Sequence, residues 1–231
     1  MDNMERIRKH FEEEAKEYDG IIKNLIPYYN QMVVALVNAI PFSNQDEIDV
    51  IDLGCGTGSI SKAVQSSFPR ASMTCVDISA NMLDIAACKM SDFNNTKYIN
   101  SNFYGFNFDR KYDAVVSSLA LHHLETKEDK FEFYRKIFDA LKPEGVFVNA
   151  DVVLASSDKL QDCYMKEWKR FMCKNVSESE VDSKWMPSYY AEDRPISLME
   201  HFELLKEAGF ENIDVVWKYY NFAVYMAVKK L

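Results

Sequence analysis

One stretch constrains this chain more than any other: Val50-Ile51-Asp52-Leu53-Gly54-Cys55-Gly56-Thr57-Gly58. The apolar run that opens at Ile48 is short, β-branched and interrupted only by acids, which suits a strand buried in a parallel sheet. Gly54, Gly56 and Gly58 follow at alternate positions. Without Cβ atoms the backbone turns sharply there and lets a ligand lie directly against it, before the helix that Ser59 begins. Strand, bare loop and helix in this order make a place to hold a nucleoside.

Spacing separates the ligand classes that use such a loop. A phosphate-cradling loop ends in Gly-Lys-Ser/Thr, whereas Gly58 is followed by Ser59 and Ile60. A dinucleotide fingerprint is G-x-G-x-x-G; here the pattern is G-x-G-x-G, with Asp52 two residues ahead of the first glycine. A second strand-like run, Ala71 to Val76, closes on Asp77. A carboxylate about twenty residues past such a loop accepts both ribose hydroxyls of a nucleoside. A strand-end Asp also serves as a helix cap, but Ser79 already supplies one for the helix from Ala80.

Asp52-x-Gly54-x-Gly56-x-Gly58 with Asp77 resembles the first motif of the class I S-adenosylmethionine-dependent methyltransferases. The resemblance runs from about Tyr29 to Lys229 and implies S-adenosylmethionine as cofactor. It implies an α/β fold: a Rossmann-like mixed seven-stranded sheet, mostly parallel, closed by an antiparallel C-terminal hairpin strand. Helices cover both faces, with an N-terminal helical lid and a helical insertion after strand 5. Cofactor contacts are expected from Asp52, Gly54, Cys55, Gly56, Gly58, Asp77, Ile78 and Met82.

Composition agrees with one such unit. With 231 residues, 48% apolar and 27% charged, the chain buries one sizeable core. It divides into a lid (1–41), a cofactor-binding core (42–155), an insertion that caps the substrate (156–195) and a closing helix and hairpin (196–231). A net charge of −9 leaves no electrostatic footprint for a phosphate backbone, so a dedicated nucleic-acid binder is disfavoured. The five cysteines form no C-x-x-C pair and the four histidines do not cluster with them, which reads as reduced thiols without a metal site. No apolar run approaches a membrane span and none opens the chain as a leader, so a soluble cytoplasmic protein is expected.

Along the chain, Ile7, Phe11, Ala15 and Tyr18 share one helical face, and Leu25, Tyr29, Met32, Val33, Leu36, Val37 and Ile40 continue a stripe until Pro41. Two helices are therefore expected before the first strand. Ile26-Pro27-Tyr28-Tyr29 resembles the proline-tyrosine lid signature of related methyltransferases, which implies that Tyr29 reaches the cofactor's methionine end with Tyr18 behind it. Aromatic stripes at this spacing also make plain core packing.

A βαβ rhythm follows: helices at 59–67, 80–90 and 127–141, strands at 72–77, 97–99, 112–117 and 145–154. Ligands then gather outside the carboxyl ends of the strands. After the third strand, Asn102 stands where many relatives place an acidic residue for the adenine amino group, and its amide oxygen can accept the same bond; Phe103 is placed to cover the adenine face. After the fourth, Ser118-Leu119-Ala120-Leu121-His122-His123 resembles the family's fourth motif, which puts Ser118 and Leu119 on the cofactor. His122 and His123 are candidates to accept a proton from a nucleophile, though such a ring also simply bonds the neighbouring loop. Asp151, at the end of the fifth strand, is a further candidate base.

In the insertion, Leu160, Tyr164, Trp168, Phe171 and Met172 form a helical stripe, followed by Trp185 and Tyr189. Tyr18, Trp168, Trp185 and Tyr189 are the candidate substrate contacts, and their aromatic content suits an apolar or planar small acceptor; the same segment also suits a homodimer face. The ending, Lys206 to Phe210 and on through Asn221-Phe222, resembles the bacterial carboxy-S-adenosylmethionine synthases, but Leu204 stands where that subgroup carries the arginine for its extra carboxylate. Methyl transfer to a small molecule by inline displacement is the expected function. A tRNA-modification-related methyl or carboxymethyl-cofactor enzyme and a non-catalytic nucleoside-binding protein are the alternatives.

Overall fold

In the computed structural model, which describes residues 3–230, one seven-stranded sheet runs in the order β3-β2-β1-β4-β5-β7-β6. The strands are β1 (Asp49–Leu53), β2 (Ser72–Asp77), β3 (Thr96–Asn100), β4 (Tyr112–Ser118), β5 (Leu141–Val152), β6 (Glu211–Tyr219) and β7 (Phe222–Val228). β1 to β5 pair in parallel and β7 is antiparallel to both β5 and β6.

Strand side chains alternate between two cores. Val50, Val116, Val148 and Val224 point to one face, where Met32, Leu36, Val64 and Trp168 cover them. Ile51, Val115, Phe147 and Tyr225 point to the other, against Phe133, Tyr134, Ile137 and Leu205. A period of two in residues apolar at every position is what a sheet covered on both faces requires.

The crossover helices are α4 (Ser59–Ser67), α5 (Ala80–Lys89) and α6 (Lys127–Ala140). Ser79 caps α5 by accepting Met82 N–H, and Thr126 with Asp129 forms a reciprocal capping box on α6. Lys142-Pro143-Glu144-Gly145, between the helix expected at 127–141 and the strand expected at 145–154, is an irregularity inside β5. Leu141 already pairs with Tyr112, and the ladder resumes at Val146 opposite Ala114, with Glu144 at φ 61° between them.

Three helices, not the expected two, precede β1: α1 (Asn3–Glu14), α2 (Tyr18–Leu25) and α3 (Tyr29–Asn38). Pro27 cannot donate to a continuing helix and Tyr28 is left-handed at φ 56°, so the apolar stripe of the sequence is cut at that point. α1 packs on α5 and on the insertion.

The insertion contains α7 (Asp158–Met172), then α8 (Glu178–Glu180), a π-turn (Val181–Trp185) and α9 (Met186–Glu192). α7 is tied to the lid by Trp168 Nε1–H, which donates to Leu25 O at 2.7 Å. α10 (Leu198–Glu207) leads into the closing hairpin. Among the described residues no helix is long and apolar enough to cross a membrane.

Candidate active site

The carboxyl ends of β1, β2, β3 and β4 surround a cavity, and α1 roofs it. Gly54, Gly56, Asp77, Ile78, Met82, Asn102, Phe103, Ser118, Leu119 and Tyr18 line it, all of them expected from the sequence, together with His123. Both glycines in this wall are left-handed, but their surroundings differ. A Cβ on Gly54 would stand 2.3 Å from the Ala120 Cβ, whereas on Gly56 the nearest atom, Tyr18 Cε1, is 4.0 Å away. Gly54 is bare so that the loop can pass β4's exit, and Gly56 is bare towards the cavity.

Asp77 Oδ2 accepts Gly56 N–H at 2.8 Å and its Oδ1 accepts Ser79 N–H at 2.9 Å. Burial pushes its carboxyl up to about 6 against these donors. Phe103 fills the cavity edge and packs on Phe133, while Asn102 Oδ1 accepts Gly105 N–H at 2.7 Å, so part of its acceptor capacity shapes its own turn. Leu119 carries the strained φ of 51° that brings the chain out of β4 beside the cavity. Bare backbone, a ribose-type carboxylate and an aromatic edge in one pocket fit an adenosyl group.

Four expected residues lie elsewhere. Asp52 is fully buried beneath the loop, where Ser61 Oγ–H donates to its Oδ2 at 2.6 Å and Oδ1 has no partner; burial pushes its carboxyl up to about 7. Cys55 packs with Cys75 and Leu83, and Gly58 allows α4 to approach α5, since its Cβ would stand 3.0 Å from that of Ala86. Tyr29 lines neither this cavity nor the next; the helix break at Pro27 and Tyr28 puts Tyr18 in front and Tyr29 in the core behind.

A second cavity, about 780 Å³ and open to solvent, adjoins the first. Trp168, Trp185 and Tyr189, candidate substrate contacts of the sequence, line it together with Phe222 and Val152. Phe11, Tyr18, Leu119 and His123 line both cavities and form the junction between them. His10, Glu14, Glu192 and Asp193 complete the second wall, and none of these four was legible as a site residue in the sequence.

The histidine pair divides into unlike members. His122 is bonded on both sides, its Nδ1 2.5 Å from Asp151 Oδ1 and its Nε2 3.4 Å from Asp193 Oδ1. Burial opposes its protonation, but the Asp193 and Asp151 carboxylates outweigh burial and raise it to about 10. His123 has Nδ1 3.4 Å from Glu192 O and 3.5 Å from Asp193 Oδ1, while its Nε2 has no partner. Burial, reinforced by the His122 imidazolium, lowers it to about 4. Asp151 is fully buried, lines neither cavity, and holds His122. His122, His123 and Asp193 bring ligand-type atoms within 4.8 Å of one another, with His122 Nδ1 also held by Asp151.

A family model described as a methyltransferase domain matches residues 50–145, the span from β1 through the bulge of β5. The likeness is to a methyltransferase domain and covers most of the cofactor-binding core expected from the sequence. Over 232 residues, 96% of each chain, the protein is 27% identical to the carboxy-S-adenosyl-L-methionine synthase of Nautilia profundicola. It is 26% identical to the malonyl-[acyl-carrier protein] O-methyltransferase of Priestia megaterium over 71% of its own length and 57% of that protein's. Among solved structures, the DhpI–SAM–HEP complex superposes with a TM-score of 0.65 at 21% identity, covering 95% of this chain and 94% of DhpI.

Proposed function

We propose that this protein is an S-adenosylmethionine-dependent methyltransferase acting on a small-molecule acceptor bound in the second cavity, with the reacting atoms meeting at the junction of Phe11, Tyr18, Leu119 and His123. The single observation behind this reading is that these four residues belong to both cavities, so a group in one touches a group in the other. S-adenosylmethionine supplies a methyl group already activated on a sulfonium. The side chains then have to align and to exclude water, and alignment alone lowers a barrier by roughly 7 to 11 kcal/mol in favourable cases. On this reading Gly54, Gly56, Asp77, Met82, Asn102 and Phe103 hold the adenosyl end, Ser118 and Leu119 flank the methyl group, and Trp168, Trp185 and Tyr189 hold the acceptor. His123 Nε2 accepts a hydrogen from the acceptor; Asp151 and His122 are positioning residues that fix His123 through Asp193.

The likeness to carboxy-S-adenosyl-L-methionine synthases raises a second reading, a carboxylated cofactor. Two observations weigh against it: Leu204 replaces the subgroup's arginine, and among the described residues no lysine or arginine lines either cavity. Incubation with S-adenosylmethionine and pools of small molecules tests the proposal. The expected result is release of S-adenosylhomocysteine that depends on a pool and is lost in Gly56→Val. Tight cofactor binding with no pool-dependent release would favour the nucleoside-binding alternative.

A further inference from the structure

The second cavity is walled by rings: Phe11, Tyr18, Trp168, Trp185, Tyr189 and Phe222. Trp168 meets Tyr189 and Phe222 edge-on at centroid distances of 5.1 and 5.3 Å, which locks the wall into flat, slot-like faces.

Its charges restrict what enters. Glu14, Glu192 and Asp193 face the space, and the only cations among its described lining residues are His10 and His122. Both are already committed: His10 to Glu192 at 2.8 Å and Glu14 at 3.0 Å, His122 to Asp151 at 2.5 Å and Asp193 at 3.4 Å. An anionic acceptor would lose its hydration, meet carboxylates and find no free cation.

The junction restricts the nucleophile. His123 is 6% exposed and its Nε2 has no partner, so a buried acceptor atom points at the place where the two cavities meet. Buried polar atoms left without partners in a protein are commonly completed by a ligand or water. Yet the same burial, with the imidazolium of His122 beside it, leaves His123 a weak base, lowered to about 4. An alkylammonium or a hydroxyl needs a stronger one before it has a usable lone pair. An uncharged aromatic nitrogen already has one.

We propose that the acceptor is a flat, uncharged arylamine, whose ring lies against the aromatic wall and whose amino N–H donates to His123 Nε2. The inference rests on the second cavity being the acceptor site. As the nitrogen acquires its fourth bond its remaining N–H becomes acidic. The bond from the methyl carbon to sulfur breaks with its pair going to sulfur; the N–H bond then breaks with its pair staying on nitrogen, which leaves the amine neutral, and the proton bonds Nε2, from which it passes to solvent.

Four probes of one shape test this: 1-naphthylamine, 1-naphthol, 1-naphthylmethylamine and 1-naphthoate. Each is titrated calorimetrically into enzyme loaded with S-adenosylhomocysteine and then incubated with S-adenosylmethionine, with products read by mass spectrometry. The expected result is binding of 1-naphthylamine about tenfold or more tighter than 1-naphthoate, as one buried hydrogen bond and one avoided charge imply. N-methylation should outpace methylation of the other three. His123→Ala should abolish the preference for the arylamine and His123→Gln, which retains an acceptor oxygen, should restore part of it. Equal binding of all four, binding of none, or preference for naphthoate or naphthol, with S-adenosylhomocysteine still bound, overturns the acceptor class and leaves the cofactor site standing. Failure of S-adenosylhomocysteine to bind overturns both.

Discussion

His10 and Glu192, 182 residues apart in the chain, meet at 2.8 Å between Nδ1 and Oε2 and so fasten the first helix to the insertion. His10 Nε2 also lies 3.0 Å from Glu14, which in turn pairs with Lys184 at 2.6 Å. α1 also contributes Met4, Ile7 and Phe11 to the roof of the first cavity, so the contact ties that roof to the insertion.

Hydrogen bonds to Glu14 and Glu192 raise His10 to about 10 from its ordinary 6.5. A histidine raised in the folded state stabilises most below its unfolded value and loses that contribution as pH climbs through the folded one. The closed roof should therefore be intact at pH 7 and weaken towards pH 10. His10→Ala should release S-adenosylhomocysteine faster in stopped-flow displacement at pH 7, and the difference from the wild type should shrink as pH approaches 10.

Gly54 and Gly56 should fail in different assays. Gly54→Ala drives a Cβ to 2.3 Å from Ala120 at a φ of +72°, so a loss of several degrees in Tm is expected. Gly56→Val meets no protein atom closer than 4.0 Å from its Cβ and costs about 1–2 kcal/mol of backbone strain, but its side chain enters the cavity. Calorimetry should show the folded Gly56→Val protein without measurable affinity for S-adenosylhomocysteine.

Asp52 is a buried acid with one oxygen unpartnered, raised by burial from 3.8 to about 7. Its ionisation works against the fold: the stability it allows is present below pH 3.8 and lost as pH rises through about 7. Asp52→Asn should raise stability, and with it Tm, at pH 8, by on the order of 4 kcal/mol at most when the rise from 3.8 to about 7 is converted at about 1.4 kcal/mol per pH unit. The gain should fade as the pH of the melt is lowered towards 4. A constant difference across that range would contradict the buried-acid account.

Lys89 Nζ bonds Asp19 at 2.6 Å, Thr57 at 2.9 Å and Ser59 at 2.8 Å, which clamps α2 over the glycine loop. Lys89→Met should weaken S-adenosylhomocysteine binding about fivefold, the worth of roughly 1 kcal/mol for a partly exposed polar cluster, with little change in Tm. Isothermal titration of the variant checks this.

The core of the cofactor cavity was legible in the sequence because it is built from local rules. Gly54, Gly56 and Asp77 stand at strand ends, where period-two apolar runs place them without any knowledge of distant residues. Phe11 was legible as a face of a helix but not as a wall of both cavities, since nothing in the pattern of α1 says which surface it roofs. Asp193 and Glu192 read as ordinary charges in an acidic stretch. Only the return of the insertion over β4 brings them to His122, His123 and His10.

Hydrophobic periodicity and three alternating glycines determined, from sequence alone, a mostly parallel sheet with a bare loop at the carboxyl end of its first strand. Those signals act between residues a few positions apart, where backbone geometry decides the outcome. Tertiary structure decided that Tyr18 and not Tyr29 lines the first cavity, that His122 is raised and His123 lowered by their surroundings, and that α1 is fastened to the insertion through His10 and Glu192. Burial and neighbouring charge set each of these, and both come from segments that the chain brings together only on folding.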